Sequence, residues 1–194
     1  MQNHHLDSIS TSPKKTARPI FFHTGPISGK YCMYKIQDNV LPTEQWRAIH
    51  DLCADSREFA YYLSNTVAHD GADHAHHYYF THQFYDNYSV NSPHFETIAP
   101  LVELLRPRAL VRIKANLYPS TSSVIVHDPH TDYDFDHRAA LYMVNSCDGY
   151  TTMSDGTPIE SIANRLVVFD PQQLHSSSTT TNAKYRITIN FNYF

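Results

Sequence analysis

His130-Thr131-Asp132 is the stretch of this chain whose residue types and spacing could do chemistry. Two positions apart on extended backbone, an imidazole and a carboxylate leave the same side and can reach one small ion, while Thr131 points away. A second imidazole from a distant strand would complete two histidines and one carboxylate on one face of an octahedron. The opposite face then stays open, which is what non-haem Fe(II) needs to hold a co-substrate and O2 together. His175 is the candidate for that second imidazole.

The tripeptide by itself carries little weight. With 14 histidines and as many aspartates in 194 residues, accident alone produces about one His-x-Asp. A second one, His5-Leu6-Asp7, sits in a polar stretch without strand periodicity. The surroundings of His130 separate the two. After it come an apolar strand over 139–145, a turn at Asp148-Gly149, an apolar strand over 165–169, and His175 six residues beyond. The strand over 185–194 then alternates, with Arg186, Thr188 and Asn190 on one face and Ile187, Ile189 and Phe191 on the other. An arginine heading a polar stripe suits a carboxylate ligand, because a guanidinium grips both carboxylate oxygens in a fixed plane.

In this order, His130-x-Asp132, His175 and Arg186-x-Thr188 resemble the Fe(II)/2-oxoglutarate-dependent dioxygenases, and most of all their prolyl-hydroxylase-like branch, including small versions from bacteria and bacteriophages. The resemblance spans residues 111–194. It implies a mainly β fold with flanking helices (α+β), a double-stranded β-helix of the jelly-roll, cupin-like kind. It also implies His130, Asp132 and His175 as catalytic Fe(II) ligands, Arg186 as the anchor for the distal carboxylate of 2-oxoglutarate with Thr188 beside it, and O2 as the oxidant. Leu117-Tyr118-Pro119 is similar to an element that places a tyrosine near the co-substrate. Leu141-Tyr142-Met143 is similar to a segment that often carries two adjacent tyrosines. The second is Met143 here, so the resemblance leaves open whether Tyr118 or Tyr142 contacts 2-oxoglutarate. The nucleic-acid demethylating branch usually has a second arginine six residues after the first, where this chain has Asn192. The implied activity is hydroxylation of a substrate C–H bond with decarboxylation of 2-oxoglutarate to succinate. A prolyl residue, peptidyl or free, is the first substrate to expect.

Two readings from other classes use the same strands. One is a non-oxidative, cupin-like metal-binding barrel holding Zn2+ or Mn2+, though such motifs are usually richer in glycine and in ligating His and Glu. The other is a catalytically silent jelly-roll module that binds a partner, against which the intact ligand set and Arg186 speak.

The elements that must position these residues follow from periodicity. Thr43 reads as the cap of a helix running through Ala54, with Trp46, Ile49, Leu52 and Cys53 on the face it turns to a sheet. A second helix is expected from Ser92-Pro93 to Leu105, with a stripe of Phe95, Ile98, Leu101, Val102 and Leu105, a kink or shortening at Pro100, and a stop at Arg106-Pro107. Ala109 to Tyr118 reads as a buried strand leading toward the triad. Between the helices, 58–88 is dense in tyrosine and histidine: His69, His74, His76, His77 and His82. It reads as an aromatic strand pair with exposed histidines, and in a functional reading as a lid over the substrate; His74-x-His76 could chelate a second metal. His127, Asp128, Asp134, Asp136 and His137 flank the triad but are not expected as ligands, and the Asp134-Phe135-Asp136 run reads as a solvated loop at the pocket mouth. Arg165, at the head of a strand, reads as a structural ion-pair partner.

Composition bounds the rest. A net charge of −4 with 15 scattered basic residues leaves no electrostatic footprint for nucleic acid or an anionic membrane, and 41% hydrophobic residues suit one globular domain. Residues 21–194 are expected to form that domain, with a catalytic core over 109–194 and a loose leader over 1–20. Cys32, Cys53 and Cys147 are odd in number and lack metal-finger spacing, so they read as reduced thiols. With no apolar run of spanning length and no signal-peptide core, the expected location is cytoplasmic, the host cytoplasm if the chain is viral. The expected partner is a small-molecule or peptide substrate, and the sequence is silent on oligomeric state.

Overall fold

The computed structural model describes residues 34–67 and 77–194; the expected leader over 1–20, Cys32, and His69, His74 and His76 lie outside them. In chain order the described elements are β1 (Tyr34–Gln37), α1 (Thr43–His50), β2 (Tyr62–Ser64), β3 (Tyr79–Asp86), β4 (Ser89–Val90), α2 (Phe95–Leu105), β5 (Leu110–Pro119), β6 (Arg138–Met143), β7 (Cys147–Thr152), β8 (Pro158–Ser161), β9 (Arg165–Phe169) and β10 (Tyr185–Tyr193). The large sheet runs β1-β9-β6-β10-β5-β3-β2, with β4 also on β3, and every pairing in it is antiparallel. The second layer starts from the β7–β8 hairpin. Bridges Thr152↔Ser176, Val126↔Ser178 and His130↔His175 extend it through residues 176–178 to residues 126–130. Two layers of this kind form the expected double-stranded β-helix.

Alternation along each strand explains the layering. On β10, Ile187, Ile189, Phe191 and Tyr193 join Ile113 and Ala115 of β5, Ala140 and Tyr142 of β6, and Leu166 and Val168 of β9 in one core under the helices. Ile49 and Cys53 from the α1 segment and Ile98, Leu101 and Leu104 from α2 complete it. Each fully buried side chain of the Val, Leu, Ile or Phe type contributes on the order of 1.5–3 kcal/mol. The opposite face of β6 and β9 is also apolar: Ala139, Leu141, Met143, Val167 and Phe169 pack against Met153 and Ile159 of the second layer. The same inner face of β10 and β5 is polar, with Arg186, Thr188, Asn190 and Asn192 opposite Tyr118, Asn116, Lys114 and Arg112 in register. One half of the interlayer space is therefore core, and the other half is a site.

Several local expectations change. Thr43 does not cap α1; Pro42 occupies the cap position at φ −53°, ψ 147°, without a side-chain bond. Thr43 to Gln45 are exposed, so water satisfies the first-turn N–H groups. Past His50 the helix widens into a π-turn, Asp51–Asp55, which carries Cys53 into the core. Two tyrosines bind carbonyls of that wide turn, Tyr61 at Cys53 and Tyr185 at Ala54. The second helix begins at Phe95 because the Ser92 hydroxyl accepts from the His94 backbone N–H and bonds the His82 ring. Pro100 does not shorten this helix. It removes one backbone donor, and burial of Ile98, Leu101 and Leu104 holds the helix to Leu105. Arg106, at φ 49°, then ends it in the left-handed region.

Asp148-Gly149 is not a turn but lies inside β7, at a register shift between Cys147 and Tyr150. The Asp148 carboxylate accepts from the hydroxyls of Thr180 and Thr181 and from the Thr181 N–H, tying the strand to the loop before β10. Arg165 does form the expected structural pair, bidentate to Asp38 at 2.6 and 3.0 Å. His82 is buried in an aromatic stack on Phe59 rather than exposed. No helix among the described residues is long and apolar enough to cross a membrane.

Candidate metal and anion site

The segments that carry His130 and His175 meet as a short antiparallel pair. Each residue's N–H donates to the other's carbonyl at 3.0 Å, so the two imidazoles stand side by side with ring centres 4.6 Å apart. Nδ1 of each ring faces a nearby backbone carbonyl, Gln173 O at 3.0 Å for His175 and Asp128 O at 3.4 Å for His130. That contact favours the tautomer with the proton on Nδ1 and leaves Nε2 as the free donor atom. Asp132 enters from the same segment, and its Oδ1 is 4.0 Å from His175 Nε2. Ligand atoms of His130, Asp132 and His175 all lie within 4.8 Å of one another. Burial, then the neighbouring His175, lowers the His130 imidazole to about 4, so it is neutral at physiological pH and available as a ligand.

Asp132 is held from behind. Its Oδ2 accepts from Asn192 Nδ2 at 2.7 Å and Asn190 Nδ2 at 3.2 Å, while Arg112 reaches Oδ1 at 3.7 Å and Asn192 Oδ1 at 3.2 Å. Burial alone would raise the carboxyl. His175, Asn192, Arg112 and Asn190 together outweigh burial and hold it below the usual carboxylate range. With Oδ2 occupied, Oδ1 is the oxygen left for an ion. Two imidazoles and one supported carboxylate are a donor set that fits Fe(II).

Arg186 is fully buried. Its Nε donates to Ser161 Oγ at 2.7 Å, Nη2 to Thr151 Oγ1 at 2.6 Å and Nη1 to Ser178 O at 3.3 Å, and its guanidinium lies 5.5 Å from the Tyr118 ring centre. None of these partners is charged, and it pairs with no carboxylate among the described residues. Gly149 makes room for it, since a Cβ there would stand 2.7 Å from Arg186 Cδ and 2.5 Å from the Thr179 carbonyl. Burial also pushes the Tyr118 phenol up to about 12, so its hydroxyl stays protonated beside the guanidinium.

His130, Asp132, His175, Arg186, Thr188 and Tyr118 all line one cleft of about 500 Å³ including its open mouth, together with Lys114, Asn116, Asn190, Leu141, Phe169 and Ser177. Val67 and Tyr79, which flank the His-rich segment, line it too. Tyr142 is the sequence-based candidate that does not reach this cleft. It sits on the helix-facing side of β6, opposite Leu141, and its hydroxyl donates to Asn164 Oδ1 at 3.1 Å. The strand period of two decides this: with Leu141 turned in, Tyr142 must turn out. His127 is buried beside Tyr118, with Nδ1 2.9 Å from Ser177 Oγ. His137 backs Asn192, while Asp128, Asp134 and Asp136 are exposed. Sequence reasoning missed the hydroxyl cradle of Arg186 and the support of Asp132 by Arg112, Asn190 and Asn192. The period-two stripe on β10 already placed both asparagines with Arg186; the cross-strand partners had no local signal.

In fold, the layered sheet with a His-Asp-His cluster between its layers is similar to solved prolyl hydroxylases and 2-oxoglutarate and Fe(II) oxygenases. Among solved structures, the chain is similar to a Trichoplax adhaerens prolyl hydroxylase in complex with a hypoxia-inducible-factor peptide fragment (14% identity, TM-score 0.61, 84% of this chain and 83% of that one). It is also similar to a Pseudomonas putida prolyl-4-hydroxylase (15%, 0.58, 83% and 92%). A viral collagen prolyl hydroxylase from Paramecium bursaria Chlorella virus-1, in its 2OG complex, gives 13%, 0.59, 87% and 98%. No protein-family model matches the chain, and no curated protein matches it either.

Proposed function

We propose that this chain is an Fe(II)- and 2-oxoglutarate-dependent oxygenase that hydroxylates a C–H bond of its substrate. Arg186 carries the reading: a buried guanidinium without a carboxylate partner among the described residues, in the same cleft as His130, Asp132 and His175. A buried charge without a counter-ion costs several kcal/mol, and one end of a dicarboxylate would supply the missing partner. Bound Fe(II) would supply O2 activation, with 2-oxoglutarate giving two electrons as it becomes succinate and CO2, one oxygen atom entering succinate and the other the new hydroxyl.

The residues of the chain supply position. His130, Asp132 and His175 would hold the metal, with Asn190 and Asn192 fixing Asp132 so that only Oδ1 faces it. Arg186 would grip the distal carboxylate, Thr188 would stand beside it, and the Tyr118 ring lies against the guanidinium. Leu141 and Phe169 form an apolar wall that helps exclude water, strengthening every charge interaction inside. A prolyl residue, peptidyl or free, is the first substrate to test; the Trichoplax neighbour binds a peptide, which supports the choice. Free thiols at Cys53 and Cys147 suit a reducing cytoplasm, and residues 21–194 are proposed as one catalytic domain.

The test is an anaerobic titration of the Fe(II)-loaded protein with 2-oxoglutarate, following the visible metal-to-ligand charge-transfer band. The band should appear in the wild type and need far more 2-oxoglutarate in Arg186→Ala. Fe(II) binding without any band would refute the proposal in favour of a non-oxidative barrel.

A further inference from the structure

Arg186 is not the sole cation of the cleft. Lys114, on β5, lines it as well, donates to Tyr79 Oη at 2.9 Å and lies 5.2 Å over the Tyr79 ring. It pairs with no carboxylate among the described residues, and its charge is felt at His130. Filling the site in the proposed way accounts for the other charges that line the cleft; Arg112 stands behind Asp132, outside that lining. The two positive charges of Fe(II) and the one on Arg186 balance the carboxylate of Asp132 and the two carboxylates of 2-oxoglutarate. Lys114 is left over, on the metal side of the cleft.

Its neighbours in the sheet are amides. In register, Lys114 pairs with Asn190 on β10 and with Gln83 on β3, and Asn116 follows it on its own inner face. Gln83 Oε1, Asn116 Oδ1 and Asn190 Oδ1 are all buried without a hydrogen-bond partner. For Asn190 the orientation is fixed, because Nδ2 donates to the Asp132 carboxylate and so turns Oδ1 the other way. Asn116 and Asn190, each more than nine-tenths buried, line the cleft. A buried acceptor without a donor is costly, and a cluster of three in one patch is unusual for an interior. A surplus cation surrounded by unfilled acceptors is the complement of a group that joins an anion to N–H donors.

Resting on the oxygenase reading above, we propose that the substrate is a free α-amino acid, its carboxylate on Lys114 and its ammonium on the amide oxygens of Asn116 and Asn190. An internal peptide residue offers neither charge. A C-terminus offers the carboxylate without the ammonium, and an N-terminus the ammonium without the carboxylate.

The proteinogenic L-amino acids, added one at a time to the anaerobic Fe(II) and 2-oxoglutarate complex, test this through a shift of the charge-transfer band and a rise in Tm, both readouts of binding rather than turnover. At least one free amino acid should give both. Its carboxamide and its N-acetyl derivative should each bind at least about tenfold more weakly. Lys114→Met should lose the response while binding 2-oxoglutarate as the wild type does, and Lys114→Arg should keep most of it. Silence from every free amino acid, or an equal response to the carboxamide or the N-acetyl derivative, overturns the proposal. So does a Lys114→Met protein that binds 2-oxoglutarate poorly, which would assign the lysine to the co-substrate. Should no band form with Fe(II) and 2-oxoglutarate alone, it is the oxygenase reading that fails, and the substrate proposal falls with it.

Discussion

Gly149→Ala separates the two roles that a glycine at this position could have. As a turn residue it would tolerate alanine at small cost. Inside β7 the added methyl would stand 2.5 Å from the Thr179 carbonyl oxygen, 2.7 Å from Arg186 Cδ and 3.4 Å from Cys147 Sγ. Ordinary contact begins near 3.4 Å, so the carbonyl and the methylene would have to retreat by about 0.9 and 0.7 Å. The carbonyl accepts from Ser178 Oγ at 2.9 Å, and the guanidinium is held by three bonds of 2.6–3.3 Å, so neither can retreat without stretching bonds. Overpacking of this kind costs about 1–3 kcal/mol. For a chain of this size it should lower Tm by roughly 2–4 °C per kcal/mol. Misplacing a positioning group by somewhat under 1 Å should weaken 2-oxoglutarate binding by on the order of 10- to 100-fold. Urea unfolding gives the first quantity, and titration of the charge-transfer band the second. Gly156→Ala is the control: Gly156 has φ +81° and open space around it, so alanine there costs about 1 kcal/mol of backbone strain and leaves co-substrate affinity alone. Wild-type stability and wild-type affinity in Gly149→Ala would refute the placement of Arg186 against this strand.

Three further outcomes follow from the same geometry. Tyr142→Phe removes a bond to Asn164, whose side chain also holds the Leu41 N–H and carbonyl. It should cost about 1 kcal/mol in urea unfolding and leave the 2-oxoglutarate titration unchanged; a weakened titration would return Tyr142 to the site. Asn192→Ala takes the shortest donor from Asp132 Oδ2, and metal affinity measured by Fe(II) or Mn(II) titration should fall by roughly 10- to 100-fold. His127 sets a pH dependence. Burial, then the charge it would meet from His77 and Arg186, lowers the imidazole to about 4 from its ordinary 6.5. The unfolded chain therefore binds the extra proton first as pH falls, so stability is full above about 6.5 and declines toward 4. This residue alone should remove roughly 2 to 3 kcal/mol between pH 7.5 and 4.5, with His130 adding a decline of the same sign. Urea unfolding of the metal-free protein and of His127→Gln at both pH values checks it, and an equal pH slope in the two proteins would refute the assignment.

The sequence by itself determined the strands that matter and the face each residue takes. A strand repeats every two residues, so Arg186, Thr188 and Asn190 could be placed on one side of β10 and its apolar residues on the other before any pairing was known. The same rule carries His130 and Asp132 to one side of their segment, and the apolar stripes of both helices are equally local. What pairs with what was not legible. The reciprocal hydrogen bonds that set His130 beside His175 join residues 45 apart, and the cradle of Arg186 is gathered from β7, β8 and the segment before β10. Tyr142 shows the limit most clearly. Its type and position suited the site, but register fixed Leu141 inward and left the phenol in the core with Asn164. Gly149 read as a turn because glycine is common in turns, whereas it is needed because a side chain from β10 fills the place of its Cβ. Local periodicity is written in neighbouring residues. Charge compensation, close approach and the meeting of two layers depend on partners far along the chain, and only the tertiary structure brings those together.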